Sequence, residues 1–117
     1  MSWRQEDGGW VLKVSAIATR PKLESFEIAA DAPVFVTLVA QIAVTPDEAA
    51  LEVDADLLIT EQGPGYTRTL YTVGDLRNAE TARQTAERLV SVELGKADPL
   101  FGAPWPTPGG LRPLPTY

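Results

Sequence analysis

An unbroken alternation of apolar side chains over residues 34–44 constrains the fold of this chain more than any other feature. Every second position from Val34 to Val44 is apolar, and Phe35 and Val39 make the opposite side substantially apolar as well. Successive side chains of a β-strand point to opposite faces, so this period predicts a strand that is covered at least partly on both sides. We therefore expect residues 34–45 to form a central strand.

Four further segments alternate in the same way, and one segment does not. Residues 10–19, 23–30, 51–60 and 66–73 predict strands, the second of them the weakest. From residue 79 the apolar spacing becomes helical, with Asp75 or Asn78 as the N-terminal cap and Gly95 at the end. The predicted fold class is α+β: about five mostly antiparallel strands in a meander, with one C-terminal helix packed on a face.

The last part of the chain has a different composition. Nine of the 21 residues from 97 to 117 are proline or glycine, and they follow neither period. Such a composition is typical of an extended segment. We expect one α+β domain over residues 1–96 and an extended Pro/Gly-rich arm over residues 97–117.

The residues that are absent exclude several chemistries. The chain of 117 residues has no cysteine and no histidine, which removes Cys/His metal sites, cysteine nucleophiles and histidine general bases. Ser15 and Lys13 share a strand face, but a solvated polar face explains that spacing more simply. We predict no enzymatic activity, no catalytic residue, no metal site and no cofactor.

Charge and hydropathy indicate the environment and exclude some partners. The net charge is −6, and residues 1–60 hold 10 acidic against 4 basic side chains, which disfavours direct binding of nucleic acid. The most apolar segment, residues 34–44, has 11 residues and includes Thr37 and Gln41, whereas a membrane helix needs about 20. The N-terminus lacks the pattern of a secretory signal. We expect a cytoplasmic protein that does not bind membranes.

The arm offers the first candidate contact surface. Leu100, Phe101 and Trp105 are large apolar residues among prolines, and prolines hold a backbone extended at low entropic cost. Large apolar side chains of this kind anchor the centres of interfaces. We expect these three residues to bind a neighbouring subunit or another protein.

An acidic strip offers the second candidate contact surface. It comprises five carboxylates in ten residues: Asp47, Glu48, Glu52, Asp54 and Asp56. The last three alternate with inward apolar residues, which predicts that they are exposed and titrate normally. A dense acidic surface can bind a basic partner, although acids on a strand also preserve solubility and discourage edge pairing.

Three functions remain open on this basis. The first is a non-enzymatic interaction or assembly module that contacts a protein partner, or a second copy of itself, through the arm. The second is an acidic inhibitor or immunity-type protein that masks the basic groove of a nucleic-acid-binding enzyme through the strip. The third is a small-ligand carrier or small enzyme with a pocket between sheet and helix.

Overall fold

The computed structural model describes residues 1–15, 21–28, 31–60, 65–97 and 99–114. Within these residues six antiparallel strands form one sheet, in which neighbours follow sequence order. The strands are β1 (Trp3–Glu6), β2 (Gly9–Ser15), β3 (Val34–Val44), β4 (Ala49–Ile59), β5 (Tyr66–Leu76) and β6 (Arg112–Pro113). Helix α1 (Ala79–Gly95) follows β5. The predicted antiparallel meander with one helix packed on it is confirmed.

The two long strands β3 and β4 define two faces of the sheet. Leu38 of β3 pairs with Ala55 of β4, and both are completely or almost completely buried beside α1. We call this side the covered face. Their neighbours Val39 and Asp54 also pair and point to the opposite side, which we call the open face.

Helix α1 closes on the sheet through small side chains. Ala82 and Ala86 are fully buried, and the absence of bulk allows close approach to β3 and β4. The helix begins after Asn78, whose side chain accepts a hydrogen bond from the Thr81 backbone N–H at 2.9 Å. Of the two predicted caps, Asn78 is therefore the one used. Among the described residues no helix has the length and apolar character needed to span a membrane.

The predicted strand over residues 23–30 is wrong for the part that the structure describes. Residues 21–28 form turns, in which the backbone N–H of Phe26 donates to the carbonyl of Leu23 at 2.9 Å. Leu23 and Phe26 are nevertheless buried in the core. They lie three positions apart, so both are placed inward by a turn and not by the alternation of a strand. Residues 29–30 lie outside the described residues.

Two short strands were not predicted from the sequence. Strand β1 pairs with β2 through a tight turn in which Gly8 adopts a positive φ of 78°, a conformation that glycine tolerates best. Strand β6 pairs with Tyr66 and Thr67 of β5. Neither strand is long enough to show an alternating pattern of its own.

The segment over residues 99–114, which we call the C-terminal segment, lies along its own domain. Phe101 is fully buried and Trp105 is 3% exposed, and both belong to the same apolar cluster as Ala86 of the helix. The Lys22 backbone N–H donates to the carbonyl of Gly102 at 3.3 Å, and its carbonyl accepts from Trp105 at 3.0 Å. Residues 115–117 of the predicted arm lie outside the described residues.

Two charged side chains hold this segment in place. The Arg68 guanidinium donates to the carbonyls of Leu100 and Pro104 and stacks 4.6 Å from the Trp105 ring centre. Glu93 of α1 is 1% exposed and accepts from the Leu100 backbone N–H. Burial raises the pKa of this carboxyl, but the hydrogen bonds that it accepts outweigh burial and leave its pKa below the ordinary value. The segment is thus held by hydrogen bonds to charged side chains as well as by packing.

Candidate binding groove

Two adjoining cavities lie on the open face. One has a volume of about 310 Å³ and the other about 230 Å³. Lys13, Val39, Asp56 and Leu114 line both, so the two cavities form one continuous depression, which we call the groove. Its combined size falls in the range of sites that hold a small molecule or a few side chains of a partner.

Strand register decides which side chains meet in the groove. Val39 of β3 pairs with Lys13 of β2 on one side and with Asp54 of β4 on the other. The next row along the strands joins Thr37, Asp56 and Thr67. Polar side chains from the four strands β2 to β5 therefore lie on this face around Val39, which is itself only 4% exposed.

Asp54 lies at the polar end of the groove and is almost completely buried. The residue is 4% exposed, and its Oδ1 atom has no hydrogen-bond partner among the described residues. The Arg112 Nη2 atom is 3.7 Å from that oxygen, which is too far for a hydrogen bond. The prediction that Asp54 is exposed is wrong, because Arg112 and the other side chains that line the groove leave it little contact with solvent.

The surroundings of Asp54 alter its titration. Burial raises its pKa to about 6 from an ordinary value of 3.8, and the charge of Glu52 acts in the same direction. The nearby Thr69 side chain and the charge of Arg112 oppose the shift. Desolvation disfavours the charged form of a carboxyl group, and the opposing contacts do not fully compensate for it here.

Arg112 reaches the open face from β6 and is held by the threonines of β5. Its Nη2 atom donates to Thr69 Oγ1 at 2.9 Å, and Thr69 in turn donates to Glu52 Oε1 at 3.4 Å. The Oγ1 atom of the neighbouring Thr67 is buried and has no hydrogen-bond partner in the part of the chain that the structure describes. Within that part, two oxygens of one cavity, on Asp54 and Thr67, are therefore without a donor.

The other end of the groove is apolar. Phe35 of β3 pairs with Leu58 of β4, and their exposed fractions are 43% and 41%. Leu114 of the C-terminal segment lies beside them in the smaller cavity. Large apolar side chains exposed as neighbours are less common on a protein surface than isolated ones and often mark a contact site.

The five carboxylates of the predicted acidic strip do not share one surface. Glu52, Asp54 and Asp56 line the groove. Asp47 and Glu48 are exposed in the turn between β3 and β4, where a hydrogen bond with Asp75 and then the charge of Asp75 raise the pKa of Glu48. The strip is thus divided into a groove part and a turn part.

The predicted arm anchors are placed differently from one another. Phe101 and Trp105 are buried in the core of their own domain, while Leu100 is 38% exposed. In this conformation only Leu100 offers surface to another molecule. Contact of the three residues with a partner stays a prediction.

The structure also bears on two other kinds of site, a metal site and a pocket between sheet and helix. No group of three or more carboxylates suited to a metal ion occurs in the described ranges. Both cavities of the groove lie on the side of the sheet away from α1, and not between sheet and helix.

Sequence reasoning missed several residues of the groove. Lys13 stood out only as the polar neighbour of Ser15, and Arg112 lies in a segment without periodicity. Leu58 left a signal, because it puts an apolar side chain on the face that alternation in residues 51–60 assigns to polar residues. Phe35 lies on the second apolar side of the strand predicted over residues 34–45. Two outward apolar positions on adjacent predicted strands could have indicated a contact surface.

The fold and the groove define an α+β protein with one face of its sheet covered by a helix and the other left open with a polar and an apolar end. This arrangement can receive a cationic group next to apolar ones. No protein-family model, curated protein or solved structure matches the chain.

Proposed function

We propose that this chain is a non-enzymatic protein-binding module whose contact surface is the open face of the sheet. The observation that carries the proposal is the exposed pair Phe35 and Leu58, which adjoins a groove lined by charged side chains. An apolar centre beside a polar rim is the usual anatomy of a protein interface. The C-terminal segment would contribute Arg112 and Leu114 to this surface.

The two faces of the sheet differ in how far they are covered, and this difference supports the open face as the contact surface. The covered face is filled by α1 and by Phe101 and Trp105. The open face has no such cover among the described residues, although Val39 and Asp54 already lie below its surface. A partner would bury Phe35 and Leu58 and thereby gain about 25 cal/mol for each Å² of apolar surface removed from water.

The charges of the groove favour one kind of partner. Arg4 forms an ion pair with Glu6, which leaves Glu52, Asp54 and Asp56 against Lys13 and Arg112. Three acids against two bases leave one negative charge. The partner is therefore a protein that presents a basic side chain beside apolar ones, a chemistry shared with the basic targets of an acidic inhibitor.

Affinity capture with three versions of the chain tests the proposal. Wild-type protein, the double variant Phe35→Ser/Leu58→Ser and the control Val92→Ser would each be immobilised and exposed to a lysate of the source cells. Val92 is 52% exposed on α1, so its variant changes apolar surface on the other side of the molecule. We expect one protein to bind wild type and the control but not the double variant.

The captured protein would then be purified and titrated against the same three versions. We expect the double variant to weaken binding at least tenfold and the control to change it less than twofold. Equal binding by all three would refute the open face as the contact surface. Doubling of the mass in solution without any partner, abolished by the double variant, would instead assign this face to a second copy of the chain.

Salt dependence separates the proposal from the inhibitor function. Binding dominated by Phe35 and Leu58 should weaken only a few-fold between low and high ionic strength, because screening acts on charges. A loss of several hundred-fold would indicate that the carboxylates dominate, as an inhibitor of a nucleic-acid-binding enzyme requires.

A further inference from the structure

The carboxylate of Asp54 is buried in an unusual way. Acids are almost never fully buried unless they are paired, and buried polar atoms nearly always have a hydrogen-bond partner. Asp54 Oδ1 has none among the described residues, and the side chain is 5% exposed. Such a group in a cavity wall points to a missing donor.

The resident cation does not supply that donor. Arg112 lies 3.7 Å from Asp54 Oδ1, and its hydrogen bond goes to Thr69 instead. Its side chain is 59% exposed and is carried by a strand of two residues. An exposed arginine on a short edge strand can swing away at little cost, and doing so uncovers the carboxylate.

The walls around Asp54 suit an aliphatic chain that ends in a charge. Val39 pairs with Asp54 in the register of the sheet, and Val11 lines the same cavity. Lysine buries its methylene stem along apolar surface while its ammonium seeks an acceptor. Thr67 Oγ1, for which the described ranges supply no donor either, offers a further acceptor in the same cavity.

We propose that the polar end of the groove is a receptor for a lysine side chain of the partner protein, with its ammonium on Asp54 in place of Arg112. This inference rests on the proposed function and names the partner group that the groove recognises. With Arg112 displaced, the groove keeps Glu52, Asp54 and Asp56 against Lys13. Three acids against one base leave two negative charges, which favours a cation.

Lysine fits this end of the groove better than arginine. A guanidinium is a planar fork that binds two oxygens of one carboxylate, whereas one oxygen of Asp54 is the atom that lacks a donor. An ammonium is compact and has three donors that can point to separate acceptors. It can therefore serve Asp54 and Thr67 together.

The test uses small probes, so that it does not depend on finding the partner. N-acetyl-lysine methylamide, n-butylammonium and the neutral n-pentanol would be titrated into the whole chain, with backbone amide shifts followed by NMR. We expect both amines to shift the amides of Asp54, Val39 and Thr67 with millimolar affinity. Pentanol should shift them at least fivefold less at equal concentration.

Three variants make the assignment specific. Asp54→Asn should weaken amine binding at least tenfold, whereas Arg112→Gln should strengthen it about threefold or more by removing the competing cation. Asp47→Asn makes the same change in net charge outside the groove, and we expect it to alter binding less than twofold. Equal losses for Asp54→Asn and Asp47→Asn would overturn the proposal, as would absence of amine binding to Arg112→Gln.

A second measurement keeps the test valid if Asp54→Asn does not fold. The carboxyl carbon of Asp54 in the wild-type chain can be followed by NMR over pH, with Glu52, Asp56, Lys13 and Arg112 as the neighbouring charges. Saturating amine should move its titration midpoint to lower pH by at least one unit. An unchanged midpoint would refute the site.

The outcomes also separate this inference from the proposed function. Loss of partner capture by Phe35→Ser/Leu58→Ser together with a lack of amine binding would refute only the lysine receptor. Amine binding at Asp54 without a partner that depends on Phe35 and Leu58 would leave a small-amine site and refute the protein-binding function.

Discussion

On the covered face of the sheet, alternate side chains of β3 and β4 are buried beneath α1 and the C-terminal segment, whereas the open face exposes neighbouring apolar residues beside a charged groove. Leu57 and Leu58 show the difference most directly. They are consecutive in β4, yet Leu57 is 0% exposed and Leu58 is 41% exposed. The same residue type thus has a packing role on one face and is available for contact on the other, and the following substitutions test that difference.

The largest loss of stability should come from the C-terminal contribution to the covered face. Phe101→Ala removes a fully buried ring and should lower the free energy of unfolding by about 4 kcal/mol, through lost burial and the cavity left behind. Urea unfolding measures this change. Leu100→Ala is the matched control, because Leu100 is the 38% exposed neighbour and should cost under about 1 kcal/mol.

The pair in β4 should give the next largest difference. Leu57→Ala should cost about 3 kcal/mol, while Leu58→Ala should cost under about 1 kcal/mol because its side chain is already partly in water. Both values come from the same unfolding experiment. Similar losses at the two positions would mean that the open face is packed in solution and that Leu58 is as buried as Leu57.

Substitution of Asp54 should raise the free energy of unfolding, whereas the substitutions above lower it. Its folded-state pKa of about 6 lies above the ordinary 3.8, so the stability gained by protonation is fully present below about pH 3.8 and is lost as pH rises through 6. Asp54→Asn removes this loss and should be more stable than wild type at pH 7.5 by about 2 kcal/mol.

The measurement is urea unfolding of both proteins from pH 4 to pH 7.5. The stability difference between variant and wild type should grow over that interval, whereas Asp47→Asn should run parallel to wild type. A difference that stays constant with pH would show that Asp54 titrates normally.

The smallest change concerns the link between the C-terminal segment and the sheet. Arg68→Ala removes two hydrogen bonds to carbonyls and the stacking on Trp105, and should cost about 1–2 kcal/mol. Hydrogen exchange of the Trp105 indole N–H, which donates to the Phe101 carbonyl, should accelerate. An unchanged exchange rate would show that packing alone holds the segment.

The sequence allowed the covered face to be predicted well and the open face only in part. Regular alternation in residues 34–44 and 51–59 predicted the long strands, and the helical spacing of apolar residues from residue 79 predicted α1. The turn at residues 23–26 was predicted as a strand, because a turn can bury Leu23 and Phe26 as effectively as a strand. The burial of Asp54 could not be predicted, since it depends on register with Val39 and on Arg112, 58 positions away along the chain.

The burial of Phe101 and Trp105 also has a consequence for synthesis of the chain. A protein is made from its N-terminus, so β1 to β5 and α1 are complete before these two side chains exist. Until residue 105 has left the ribosome, Phe101 and Trp105 cannot pack on the covered face. Apolar side chains of that face therefore stay exposed to solvent. The nascent chain should therefore be most vulnerable to aggregation, and most dependent on chaperones, just before residues 101–105 emerge.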